Sequence, residues 1–116
     1  MPRRSSAAAK PLSPRESAPV FAALGDETRL RLVSRLCEGG PMSIARLTEG
    51  SEVTRQAITK HLRVMEEAGL VRASRRGRES VWTLEPERLE DVRRYLDVIS
   101  QQWDAALDRL KRFVEE

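Results

Sequence analysis

Eight apolar residues near the carboxyl end, Leu89, Val92, Leu96, Ile99, Trp103, Ala106, Leu110 and Phe113, are separated by 3, 4, 3, 4, 3, 4 and 3 residues. That alternation is the heptad seam of a helix that packs along another helix. No Gly or Pro interrupts it after Pro86. A helix over 87–114 would be roughly 42 Å long at 1.5 Å per residue. A compact globule of this size is only about 35 Å across, so part of the seam must overhang a single copy. Burying the seam contributes roughly 10–20 kcal/mol gross. Ordering the backbone costs on the order of 1–2 kcal/mol per residue, so the helix needs a partner surface. The simplest partner is the same helix of a second chain, with Val20 and Phe21 of an early helix contributing to the dimer interface. The competing reading is a monomer whose helix folds back over its own core.

The rest of the chain divides into shorter elements. Residues 1–16 are rich in Ser, Ala, Pro and Arg and read as a disordered basic arm. Ser17 can cap a helix through Leu24, with Pro19 in its first turn. Asp26 is a suitable N-cap for a second helix, in which Leu30, Val33, Leu36 and Cys37 recur at helical spacing. Cys37 then belongs to the core, with a redox role as the alternative. Ser43 caps a short helix that turns Ile44 and Leu47 inward. After a turn over 50–53, Thr54 caps a longer helix with Ala57, Ile58, Leu62 and Met65 on one stripe. Gly69 stands where a left-handed C-cap belongs. Val71, Ala73, Val81 and Trp82 favour strand, and Arg76-Gly77 marks the turn of a β-hairpin. The boundaries follow: a basic arm over 1–16, a compact unit over 17–84 and a dimerisation helix over 85–116. The fold class is mainly α with a small β-hairpin.

Charge separates the same segments. The net charge of +3 divides into +3 for residues 1–16, −1 for 17–53, +4 for 54–84 and −3 for 85–116. Positive charge gathers where a polyanion-binding surface would need it. A single cysteine excludes an internal disulfide and fits a reducing cytoplasm. No apolar run approaches the roughly 18 residues of a membrane span. No Ser/His/Asp set, phosphate-cradling Gly-rich loop or metal cluster is present to support catalysis.

A short helix, a tight turn and a capped second helix make a helix-turn-helix. Its second helix enters the major groove and uses its early residues on base edges. Arg55 can donate a fork to guanine, Gln56 can pair with adenine and Thr59 can meet a thymine methyl. Thr54, Lys60 and Arg63 can reach phosphates, with Ser43 at the preceding cap close to the same backbone. Arg75, Arg76 and Arg78 at the hairpin tip can reach the backbone or an adjacent minor groove. His61 borders the apolar stripe, where it either packs the helix or touches a phosphate.

The segments "FAALGDETRLRLVSRL" and "RQAITKHLRVMEEAGLVRASRRGRESVWTL" resemble the ArsR family of winged helix-turn-helix repressors over residues 20–84. The most specific part is "HLRVMEEAGLV" followed by an arginine-rich wing. The resemblance implies a winged helix-turn-helix with a long C-terminal dimerisation helix, working as a homodimer on a palindromic double-stranded DNA operator. Soft-metal sensors of that family carry a Cys-x-Cys pair before the turn, where this chain has Ser43 and Ala45. Zinc-type sensors use Asp and His in the final helix, which here holds no histidine. The chain is similar instead to the metal-free branch, often found near genes for START-like lipid-binding proteins, and no cofactor is implied. Its signal is left open: a small-molecule effector, a thiol change at Cys37, or none. Trp82 and Trp103 either line an apolar pocket or pack the core. The alternative function is a winged-helix protein-interaction module without specific DNA binding.

Overall fold

The computed structural model describes residues 13–115. The elements run α1 (Pro14–Leu24), α2 (Glu27–Gly39), β1 (Met42–Ser43), α3 (Ile44–Thr48), α4 (Arg55–Glu67), β2 (Val71–Arg76), β3 (Glu79–Leu84) and α5 (Pro86–Glu115). Residues 1–12 of the expected arm lie outside the described residues.

α1 begins earlier than Ser17. Ser13 Oγ accepts the Glu16 N–H at 3.1 Å, and Glu16 Oε1 accepts the Ser13 N–H at 3.0 Å. This reciprocal box, with Pro14 in the first turn, satisfies two N-terminal donors at once. It is a stronger start than a lone serine, so Ser17 lies inside the helix and is buried. Pro19 therefore sits inside the helix as well, not in its first turn.

α2 starts as expected, with Asp26 Oδ2 accepting the Arg29 N–H at 3.0 Å. Its inward face differs from the expected stripe. Leu32 and Leu36 are buried, Leu30 is 50% exposed and Cys37 is exposed. Two apolar stripes overlap on this helix, and helical spacing alone does not choose between them. Packing against α1 and α4 does. Cys37 is thus not a core residue.

β1 was not anticipated, because two residues carry no periodicity. Met42 pairs with Trp82 and Ser43 with Val81, which gives an antiparallel sheet in the order β1-β3-β2. The hairpin pairs Val71 with Leu84 through to Arg76 with Glu79. Its two-residue loop is Gly77-Arg78, with Gly77 at φ +64° in the first loop position, as a type II′ turn demands.

The core joins Val20 and Ala23 of α1, Leu32 and Leu36 of α2, Leu47 of α3 and the stripe Ile58, Leu62, Met65 of α4. Leu70, Val71 and Trp82 close it from the hairpin side. Trp82 is therefore a core residue. Val20 is also buried here, so it is withdrawn from the expected dimer interface: its surface is already covered by its own protomer.

α5 has 30 residues, about 45 Å at 1.5 Å per residue. Only its first turns belong to the body. Leu89 and Val92 are half-buried against the core, and the Tyr95 ring meets Phe21 with centroids 5.6 Å apart. From Leu96 onward the seam is open: Trp103 is 64% exposed, Leu110 61% and Phe113 78%. Ile99 is also exposed, and Ala106 is half-buried. The helix does not fold back over its own core. Among the described residues, no helix is long and apolar enough to cross a membrane.

Candidate nucleic-acid interface

α3 has five residues, too few for its own hydrogen bonds to hold it. It is fixed from both ends. Ser43 Oγ accepts the Arg46 N–H at 3.3 Å. At the other end Arg35 of α2 reaches across with its guanidinium. Nη1 donates to the Leu47 carbonyl at 2.9 Å and the Glu49 carbonyl at 3.3 Å, and Nη2 donates to the Arg46 carbonyl at 2.9 Å. A cation on the last carbonyls of a helix satisfies their lone pairs and opposes the helix dipole. Sequence reasoning missed Arg35, because nothing local in α2 indicates which backbone it will cap.

The turn after α3 is set by Ser51 Oγ accepting the Val53 N–H at 3.0 Å. Thr54 Oγ1 then accepts the Ala57 N–H at 3.1 Å and starts α4. At the far end the Leu70 N–H donates to the Met65 carbonyl and the Gly69 N–H to the Glu66 carbonyl, both at 2.9 Å. These two bonds, with Gly69 at φ +78°, make a Schellman stop. α4 is thus a 13-residue rod with both ends fixed.

The outer face of that rod carries Arg55, Gln56 and Lys60. All three side chains are exposed, with no hydrogen bond or ion pair among the described residues. Thr59 donates its hydroxyl to the Arg55 carbonyl at 2.9 Å, so its methyl is the group left for an apolar contact. Arg63 is engaged more inwardly: Nη1 lies 3.0 Å from Glu66 Oε1, and the guanidinium lies 5.6 Å from the Trp82 ring centroid. A cation over an indole face is attracted by the ring quadrupole.

Two expected contacts change character. The Ser43 oxygen accepts in the α3 cap and its backbone pairs in β1, which leaves its O–H as the group able to donate outward. The His61 ring is turned to α2, with Nδ1 3.1 Å from Arg29 Nη1 and 3.8 Å from Asp26 Oδ2. Of the two readings left open for His61, packing fits this placement. The Arg29 N–H bond to Asp26 holds that carboxyl below the ordinary carboxylate range, with the Arg29 charge adding to the effect.

In the wing, Ala73 stands opposite Trp82 on one face of the ribbon, with Trp82 buried and Ala73 exposed. Side chains alternate along a strand, so Arg75 follows Ala73 and Arg76 leaves by the opposite face. Arg75, Arg76 and Arg78 are exposed and unpaired among the described residues. Arg72, lower on the ribbon, is tied to Glu85 at 3.3 Å. The tip therefore offers three exposed cations, two of them on opposite faces of the ribbon. Among the described residues, no group of three His, Cys, Asp or Glu side chains is arranged to hold a metal ion.

A helix-turn-helix domain model matches residues 24–73, the stretch from the end of α1 into β2. An uncharacterized HTH-type transcriptional regulator of Bacillus subtilis is 38% identical, over 63% of this chain and 86% of the relative. An ArsR-like transcriptional regulator from Rhodococcus sp. RHA1 superposes with a TM-score of 0.71 at 36% identity, covering 85% of this chain and 92% of that one. A homodimeric winged helix-turn-helix DNA-binding domain from Mycobacterium bovis shares the fold at 19% identity, with a TM-score of 0.62 over 76% of this chain and 81% of that one. The capped α4, the sheet with its arginine-tipped wing and these relatives agree: the chain belongs to the ArsR family of winged helix-turn-helix transcriptional regulators.

Proposed function

We propose that the chain is a homodimeric repressor that binds a palindromic DNA operator, its own promoter included, without sensing a metal. The observation that carries the proposal is the pairing of two open surfaces on one chain. α4 holds Arg55 and Gln56 free of internal partners, and α5 leaves its seam from Leu96 to Phe113 uncovered. A copy of the same chain on that seam would cover it. It would also set two α4 helices for successive major grooves, about 34–36 Å apart. The homodimeric assembly of the Mycobacterium bovis domain is consistent with this arrangement. Ser43 and Ala45, standing where soft-metal sensors have cysteines, support a signal other than a metal.

The test is a titration of labelled duplexes carrying an operator selected from random sequence. Arg55→Ala or Gln56→Ala should relax base preference at its own position, costing about 1–3 kcal/mol against the preferred base. Arg76→Ala should weaken binding to all sequences and reduce the slope of log K against log salt by about one. Unchanged affinity in both variants would refute the contact assignment. The exposed seam also suits a second reading, a module that docks another protein. Light scattering on the pure protein separates the two, since that reading requires a monomer without its partner.

A further inference from the structure

The first turn of α2 and the middle of α4 meet at one hydrogen bond, between Arg29 Nη1 and His61 Nδ1 at 3.1 Å. A guanidinium only donates. Nδ1 must therefore accept, and the neutral ring carries its proton on Nε2. The same guanidinium donates through Nε to the Ala23 carbonyl at the end of α1, at 2.5 Å. The Arg29 backbone N–H is received by Asp26 Oδ2. That oxygen is 3.8 Å from His61 Nδ1, too far for a hydrogen bond, and the Arg29 charge acts on the same carboxylate. One arginine thus joins the end of α1, the start of α2 and the body of α4.

We propose that Arg29 and His61 form a catch that fixes the rotation of α4 about its own axis, which makes His61 a positioning residue of DNA reading and not a groove contact. The inference rests on the DNA-binding function proposed above. The apolar stripe Ile58, Leu62, Met65 holds α4 to the core and its close packing limits rotation, but that limit contains no directional bond. A rotation of 20° would carry side-chain tips at a radius of roughly 6 Å through about 2 Å. A bidentate base contact tolerates only the few tenths of an ångström within the hydrogen-bond range. A hydrogen bond of set length beside the stripe supplies the missing direction.

The catch is tested by two histidine substitutions with opposite geometry. In His61→Asn the amide oxygen can occupy the Nδ1 position and still accept from Arg29. In His61→Gln the amide sits near the Nε2 position and leaves Arg29 without its acceptor. His61→Asn should bind the selected operator within about threefold of the unsubstituted protein. His61→Gln and Arg29→Met should lose at least tenfold, with affinity for an unrelated duplex unchanged. The reverse order, with His61→Gln intact and His61→Asn impaired, would overturn the proposal and assign His61 an outward contact through Nε2. Ring-nitrogen NMR shifts of the unsubstituted protein give an answer independent of any variant's folding: an unprotonated Nδ1 is expected, and a neutral ring protonated there overturns the catch. If the unsubstituted protein selects no duplex, the DNA-binding function falls, and the nitrogen shifts still decide whether the catch exists.

Discussion

Trp103→Ala tests the proposed dimer seam at its largest side chain. Trp103 is 64% exposed in the protomer. A tryptophan buries up to about 250 Å², so roughly 160 Å² remains open on each copy. Covering half of that in a two-fold contact removes about 80 Å² per chain, or ~2 kcal/mol at 25 cal/mol per Å². Symmetry counts the residue twice, so the dimer should weaken by about 4 kcal/mol, near a thousandfold in dissociation constant. Sedimentation equilibrium over a dilution series reads that constant directly. Fluorescence gives an internal check. Trp82 is 1% exposed, so a change of emission on dilution must come from Trp103. Operator affinity should fall in parallel, because a monomer presents a single α4. The reasoning is refuted if Trp103→Ala dimerises as tightly as the unsubstituted protein. It is equally refuted if emission stays constant through the range where the dimer dissociates.

Gly69→Ala should destabilise the fold by about 1–2 kcal/mol, because φ +78° is costly for any residue with a Cβ and that atom would stand 3.0 Å from Arg88 Nε. Thermal melting at fixed protein concentration reads the change, and an unaltered midpoint would contradict the strain. Acidification should weaken the protein through Asp26 and Glu16, whose cap hydrogen bonds hold both carboxyls below their ordinary values. Their contribution is complete above the unfolded carboxylate pKa near 4 and is lost as pH falls through the lower folded values. Urea melts at stepped pH should therefore show a decline below about pH 4. Asp26→Asn, which keeps a capping oxygen but does not titrate, should make that decline shallower.

Features governed by local rules were readable before any coordinates. Asp26, Ser43 and Thr54 each cap a helix, Gly69 stops α4, and the seam of α5 follows its spacing. What escaped was set at a distance. The choice between Leu30 and Leu32 on α2 depends on which neighbours arrive, and both residues fit a helical period. β1 exists only because β3 offers it a ladder. Arg29 and Arg35 are ordinary helix-surface arginines in the sequence. Their partners lie 6 and 32 residues away for Arg29 and 11–14 for Arg35, one a ring nitrogen and the others backbone carbonyls. The early start of α1 is a different case. The pattern Ser13-Pro14-Arg15-Glu16 is a capping box with proline in its first turn, and a composition-based reading of 1–16 as one arm hid it.

The two proposed DNA-contacting elements differ in how firmly they are held, and the difference suits their tasks. α4 is tied at its start by Thr54, in its middle by the bond from Arg29 and at its end by Gly69, over which the Arg88 side chain lies. Reading a base edge needs donors placed within the narrow window of a bidentate contact, and a rod fixed at three points supplies it. The wing tip has no such ties beyond its ladder, and its three arginines carry no internal partner among the described residues. Attraction to phosphates depends on charge and proximity and needs no fixed register. Stiffening the tip should therefore leave base preference unchanged, whereas loosening α4 at any of its three ties should erode preference before it erodes overall attraction. The ratio of specific to non-specific affinity, measured at one salt concentration, separates those two failures.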